Sequence, residues 1–195
     1  MEQKEVLCIG TKILHGKEHF KMPVIGNGDI ASVLTEYKDN ENIIFFVSGV
    51  SNSGEKRDSE FQREIKLLMK QPKDKHLIYI STLSIYYSNS PYVEHKKNME
   101  AIIALNFHSY TIFRIGNITW GTNPNTLINY LKANPLAERR PVWRYLMSKK
   151  EFLHWISMAP IPGKTEMNIT GALTWVPDLA DVIRQQREWK LKAVI

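Results

Sequence analysis

Apolar residues fall into short runs separated by polar, turn-forming stretches. Ile43–Val47, His76–Ile80 and Tyr110–Ile115 are nearly continuous apolar runs of strand length and read as buried parallel strands. Between the first two, Phe61, Ile65, Leu68 and Met69 recur at helical spacing in a charged background. After Pro91, Tyr92, Lys96, Met99, Ile102 and Ile103 do the same. Upstream, Met22–Ile25 reads as a strand, and Val33–Leu34 continue at helical spacing beyond a glycine turn. Downstream, Asn123–Leu131 opens a helix, Val142–Met147 is a short strand, and Ser148 caps a helix over Lys149–Ile156. Met167–Thr170 and Val176–Arg187, with Leu179, Val182 and Ile183, form a last strand and helix. This alternation predicts an α/β, doubly wound parallel sheet with right-handed connections.

Composition narrows the class. At 195 residues with 43% hydrophobic and 24% charged positions, the chain is an ordinary globular domain, long enough to bury a core without staples. A single cysteine, Cys8, excludes an intramolecular disulfide framework, and the scattered histidines have no metal-ligand spacing. The expectation is therefore no metal and a reducing, cytoplasmic location. No run approaches the roughly 18 apolar residues of a membrane helix, so a membrane is not expected as a partner. The net charge of +6 admits an anionic ligand. The densest basic group, Arg139, Arg140 and Arg144, is broken by Pro141 and Trp143 and reads as solvated surface rather than a nucleic-acid patch.

The chemistry sits just after the strands. Gly26-Asn27-Gly28-Asp29-Ile30-Ala31 follows a strand and opens a helix, the context in which Gly-x-Gly-x-x-Ala cradles a pyrophosphate. The first glycine permits a tight turn and the second a close backbone approach, while Asp29 would repel a phosphate if it pointed inward. A dinucleotide fold then needs a second strand ending in Asp or Glu about 20 residues on. Here the chain runs straight into Ile43–Val47, so that acid is missing. Ser48–Gly54 and Ser81-Thr82 lie at the carboxyl ends of two strands. Tyr92 and Lys96, at i and i+4, share one helix face, where the ammonium would lower the phenol pKa.

Five blocks in order resemble the extended short-chain dehydrogenase/reductase superfamily, the NAD-dependent epimerase/dehydratase family. They are Gly26–Ala31, Phe46–Ser53, Tyr79–Tyr86, Tyr92–Glu100 and Phe113–Gly121, within a likeness covering about residues 22 to 190. The resemblance implies a shortened Rossmann-like sheet with a small C-terminal substrate-covering region. The division is an N-terminal extension at 1–21, an NAD(P)-binding core at 22–122 and the covering region at 123–195. It implies Tyr92 as catalytic acid/base, Lys96 as its modulator and ribose ligand, and Thr82 on the reacting oxygen. It places Gly26, Gly28, Ile30, Ser48 and Gly49 along NAD or NADP, and Ser84 and Asn117 on a nucleotide-linked sugar. The implied activity is an epimerase, dehydratase or reductase working by hydride transfer, in a superfamily that often dimerises. The missing acid keeps a second expectation open: a catalytically silent nucleotide-binding or regulatory protein with the same fold.

Overall fold

The computed structural model describes residues 24–34, 42–134 and 141–192; the extension at 1–21 lies outside them. Five parallel strands form the main sheet: β1 (Val24–Ile25), β2 (Ile43–Phe46), β3 (His76–Thr82), β4 (Tyr110–Ile115) and β7 (Lys164–Ile169), in the order β1-β2-β3-β4-β7. Three strands form a second sheet, ordered β5 (Asn117–Ile118), β6 (Trp143–Met147) and β8 (Ala172–Trp175). The architecture is the expected α/β, Rossmann-like sheet with helices on both faces.

Alternation along the strands divides the core in two. Ile43, Phe45, Ile78, Ile80, Phe113 and Ile115 point to one face, where α1 (Asp29–Val33) supplies Val33 and α5 (Lys149–Ser157) supplies Phe152 and Ile156. Ile44, Phe46, Leu77, Tyr79 and Ile112 point to the other. There α2 (Asp58–Met69) supplies Leu68, and α3 (Pro91–Asn106) supplies Met99 and Ile103. Both faces are covered, which is why β2 is apolar throughout and β3 and β4 nearly so, whereas the outer strand β7 alternates with polar residues.

The steps from β2 through α2 to β3 and from β3 through α3 to β4 move in the same lateral direction with their helices on the same face, so these two connections share one hand. Among the described residues β1 is the edge of the sheet, with no strand beyond it.

Local signals behave as expected. Ser90 caps α3, with Pro91 in its first turn, and Ser148 begins α5 with a full capping box to Glu151. Thr126 caps α4 (Leu127–Ala133), four residues later than the helix opening read at Asn123. Asn123 and Asn125 form an Asx-type turn instead.

The region beyond residue 122 does not stand apart. Its β7 pairs with β4 along six residues and its α5 fills the core, while β5, from before the boundary, belongs to the small sheet. Glycines make the two junctions. Gly116 alone separates β4 from β5, and a Cβ there would lie 2.6 Å from the Tyr145 carbonyl oxygen. Gly171, at φ 66°, turns β7 into β8 against the Leu146 carbonyl. The chain continues from β8 directly into α6 (Val176–Lys192).

Candidate active site

A cleft of about 890 Å³ runs across the carboxyl ends of β1 to β4, where open parallel sheets bind ligands. Gly28, Asp29 and Ile30 line it from the glycine turn, and Ser48, Gly49 and Val50 from the end of β2. Thr82 and Ser84 follow β3, Tyr92 and Lys96 enter from α3, and Asn117 comes from β5. Gly26 is not among the lining residues. Its φ of 142° and a prospective Cβ 2.7 Å from the Val47 carbonyl oxygen make it a packing glycine between β1 and β2. Gly28 is the opposite case: a Cβ there meets nothing within 4 Å, so the space it leaves belongs to the cleft.

Tyr92 packs with Val50, Val93, Phe61 and Ile85, which buries its ring while its hydroxyl faces the Thr82 side chain. Thr82 also accepts from the Ser84 amide at 3.1 Å, so the hydroxyl position is set by the 3-10 turn Leu83–Tyr86. Lys96, one helical turn beyond Tyr92, is 3% exposed. Its Nζ donates to Glu64 Oε1 at 3.1 Å and to Tyr79 Oη at 2.9 Å.

Glu64 is fully buried. Its two oxygens accept four donors: Lys96 and Tyr79 on Oε1, the His95 ring and the Val50 amide on Oε2. A carboxylate has about four acceptor sites, so this one is saturated. Burial alone would raise its pKa; Lys96 first, then His95 and the Val50 amide, overcome that and hold it far below the usual carboxylate range. The result is an ionised carboxylate paired to the one lysine of the site.

That pairing changes the expected chemistry of Tyr92. The sequence reading has Lys96 lowering the phenol pKa, and Lys96 does act in that direction. Burial outweighs it, and Glu64 works against Lys96, so the Tyr92 pKa is raised rather than lowered.

On the opposite wall, Asp29 resolves its own expected conflict with a phosphate. Its carboxylate turns to the loop after β5, accepting the Thr122 amide at 2.9 Å and the Asn123 amide at 3.0 Å. The Trp120 indole donates to the Asp29 carbonyl, and the Asn123 amide group donates to Ser51 Oγ. Residues 120–123 thus strap the glycine turn to the loop after β2.

No protein-family model matches the chain, and no curated protein matches it. Solved structures do. WbmG from Bordetella bronchiseptica, in complex with NAD and UDP, superposes with a TM-score of 0.58 at 12% identity, over 74% of this chain and 56% of that one. UDP-glucose 4-epimerase from Thermotoga maritima, with UDP-glucose, gives 0.60 at 15%, over 74% and 60%. The dTDP-glucose 4,6-dehydratase from Bacillus anthracis, in complex with NAD, gives 0.56 at 15%, over 80% and 60%. This chain has the fold of the NAD-dependent epimerase/dehydratase structures. It spans less than two thirds of the length of these three.

Within the epimerase/dehydratase fold, the structure gathers Gly28, Ile30, Ser48, Gly49, Thr82, Ser84, Tyr92, Lys96 and Asn117 around one cleft and leaves Gly26 beneath it. Asn117 donates its side-chain amide to the Tyr145 carbonyl at 3.3 Å while lining the cleft. Sequence reading missed Glu64, Tyr79, His95 and the Asp29 strap. A signal existed for Glu64. It lies three residues after Phe61 and four before Leu68, on the apolar stripe of α2, where a carboxylate needs a buried partner. Among the described residues no group of three or more His, Cys, Asp or Glu could hold a metal, and no helix is long and apolar enough to cross a membrane.

Proposed function

We propose that the cleft binds a nicotinamide dinucleotide, NAD or NADP, together with a nucleotide-linked sugar, and carries out hydride transfer at a sugar carbon. The convergence of the Thr82 and Tyr92 hydroxyls on one cleft wall, with Lys96 a helical turn away, carries this reading. The open volume over Gly28 fits a pyrophosphate at the glycine turn. Gly28, Ile30, Ser48, Gly49 and Lys96 would hold the cofactor, and Ser84 and Asn117 the sugar nucleotide. The bound nicotinamide supplies or accepts the hydride.

The chain's own residues do the rest. Thr82 and Tyr92 orient the reacting oxygen, Tyr92 Oη exchanges a proton with it, and Lys96 has two of its three N–H donors committed to Glu64 and Tyr79, which leaves the third for a ligand hydroxyl. The nicotinamide half of the ligand is matched by residues on the cleft wall. The adenosine half has no acidic strand end to meet it among the described residues, with β1 at the sheet edge.

Calorimetric titration with NAD(H) and NADP(H) tests the reading, with binding expected in the micromolar range; absence of binding up to millimolar concentration rejects it. A second reading, a catalytically silent nucleotide-binding or regulatory protein, is favoured by that missing platform and by the Glu64–Lys96 pair. Turnover of a sugar-nucleotide panel that is lost in Tyr92→Phe refutes silence.

A further inference from the structure

Tyr92, Lys96 and Glu64 form a graded series from the cleft into the core. The phenol reaches the cleft, the ammonium lies behind it, and the carboxylate is fully buried behind the ammonium. In a phenol–ammonium pair alone, losing the phenolic proton leaves a neutral ion pair, which a low-dielectric site favours. Here the ammonium already has its counter-ion. Losing the Tyr92 proton would leave two anions, Glu64 and the phenolate, competing for the Lys96 ammonium beside Val50, Phe61 and Ile85. Glu64 cannot relieve this by turning away, because Val50, Tyr79 and His95 hold it as well. The other titratable groups around Tyr92 are Tyr79 on β3, His95 on α3, whose ring bonds Glu64 rather than the phenol, and Tyr87 after the 3-10 turn; Arg63 on α2 lines the same cleft and donates to Glu60 and the Ser48 carbonyl.

We propose that Glu64 is a positioning residue that neutralises Lys96 and keeps Tyr92 protonated, so that the site acts on a carbonyl, giving it a proton, rather than on a hydroxyl, taking one. This rests on the hydride-transfer reading above and selects the reductase among its three reactions. As the C=O π bond breaks, the carbon takes a hydride from a dihydronicotinamide co-substrate and the oxygen takes the Tyr92 proton. The carbonyl carbon is reduced by two electrons and the nicotinamide oxidised by two; the phenolate then regains a proton from water. An epimerisation or dehydration that begins by oxidising a hydroxyl-bearing carbon needs the reverse proton transfer first, to a phenolate this site disfavours. The substrate class is therefore a keto or aldehydo sugar nucleotide.

The test does not depend on turnover. Tyrosinate absorbance is titrated in the wild type and in Tyr92→Phe, and the difference isolates Tyr92. The expected result is no Tyr92 tyrosinate between about pH 7 and 9; its presence there overturns the proposal. Glu64→Gln keeps the side-chain shape and removes the charge, and the Tyr92 transition is expected to shift to lower pH. A folded variant whose transition does not move also overturns it. If Glu64→Gln fails to fold, the wild-type difference spectrum still decides. NADPH calorimetry on the same wild-type sample separates the two readings. Binding with tyrosinate at neutral pH sinks the role of Glu64 alone, whereas no binding sinks the hydride-transfer reading whatever Tyr92 does.

Discussion

Gly49 stands where any side chain would divide Lys96 from Glu64: a Cβ built on it lies 2.7 Å from Lys96 Nζ and 2.8 Å from Glu64 Oε1. The absence of a side chain at the end of β2 thus lets a buried ion pair close beneath the cleft. Gly49→Ala is expected to destabilise the fold by about 1–3 kcal/mol through overpacking, a fall of a few degrees in Tm at this chain length. Gly28→Ala, with nothing within 4 Å, is expected to leave Tm within about 2 °C. In the ligand titration the order reverses for Gly28: its alanine variant keeps its stability and loses nucleotide affinity. Equal effects at the two glycines on both measurements would contradict this division.

Removing one partner of the buried pair strands the other. Glu64→Leu is expected to cost about 3–5 kcal/mol, because Lys96 is left as an uncompensated buried charge. Lys96→Met leaves Glu64 with three of its four donors and is expected to cost a similar amount. The double variant should recover much of the loss, since an apolar pair of similar volume needs no counter-ion. Urea unfolding of the four proteins gives the coupling directly, and strict additivity would show that the two groups do not depend on each other.

The same carboxylate sets an acid limit. A group whose folded-state pKa is depressed contributes stability above its unfolded pKa, and that contribution is lost as pH falls toward the folded value. Glu64, with a reference near 4.5 and a folded value well below it, should contribute fully at neutral pH. Stability should then decline progressively as pH falls below about 4.5. Glu64→Gln should flatten that part of the stability curve, as measured by denaturant midpoints across acid pH. An unchanged acid slope would assign it to other carboxylates.

Asp29 makes a prediction about exchange rather than stability. Its carboxylate is the acceptor for the Thr122 and Asn123 amides. Asp29→Ala should raise hydrogen exchange at those two positions by about tenfold or more, for the loss of roughly 1.5 kcal/mol per charge-assisted bond. Amides of β3 and β4 should be unaffected. Protection that survives at 122 and 123 would mean the loop is held by Asn123 and Ser51 instead.

Legibility in the sequence followed the range of the forces involved. The strands at 43–46, 76–82 and 110–115 were readable because both faces of the sheet are covered, so β2 is wholly apolar and β3 and β4 are apolar over most of their length. Ser148 was readable because a cap is decided within four residues. The placing of Thr82 beside Tyr92 came from the order of five blocks rather than from any one. What escaped was long-range: Glu64 meets His95 and Lys96 across 31 and 32 residues, and Asp29 meets its loop across 93 and 94. The sign of the Tyr92 shift is set first by burial of its ring and then by that unseen carboxylate working against Lys96, so a correct neighbour, Lys96, led to the wrong direction. Gly26 and Gly28 look equivalent in a motif, and only the position of the Val47 carbonyl separates them.

The glycine junctions at 116 and 171 bear on how a ligand gets in. Each joins the large sheet to the small one across a residue or two, and each is pressed against the backbone of β6, at Tyr145 and at Leu146. With β6 held from both sides, swinging the small sheet about either junction would drive a β6 carbonyl against Gly116 or Gly171, so a ligand meets Asn117 of β5 already set against the ends of β3 and β4.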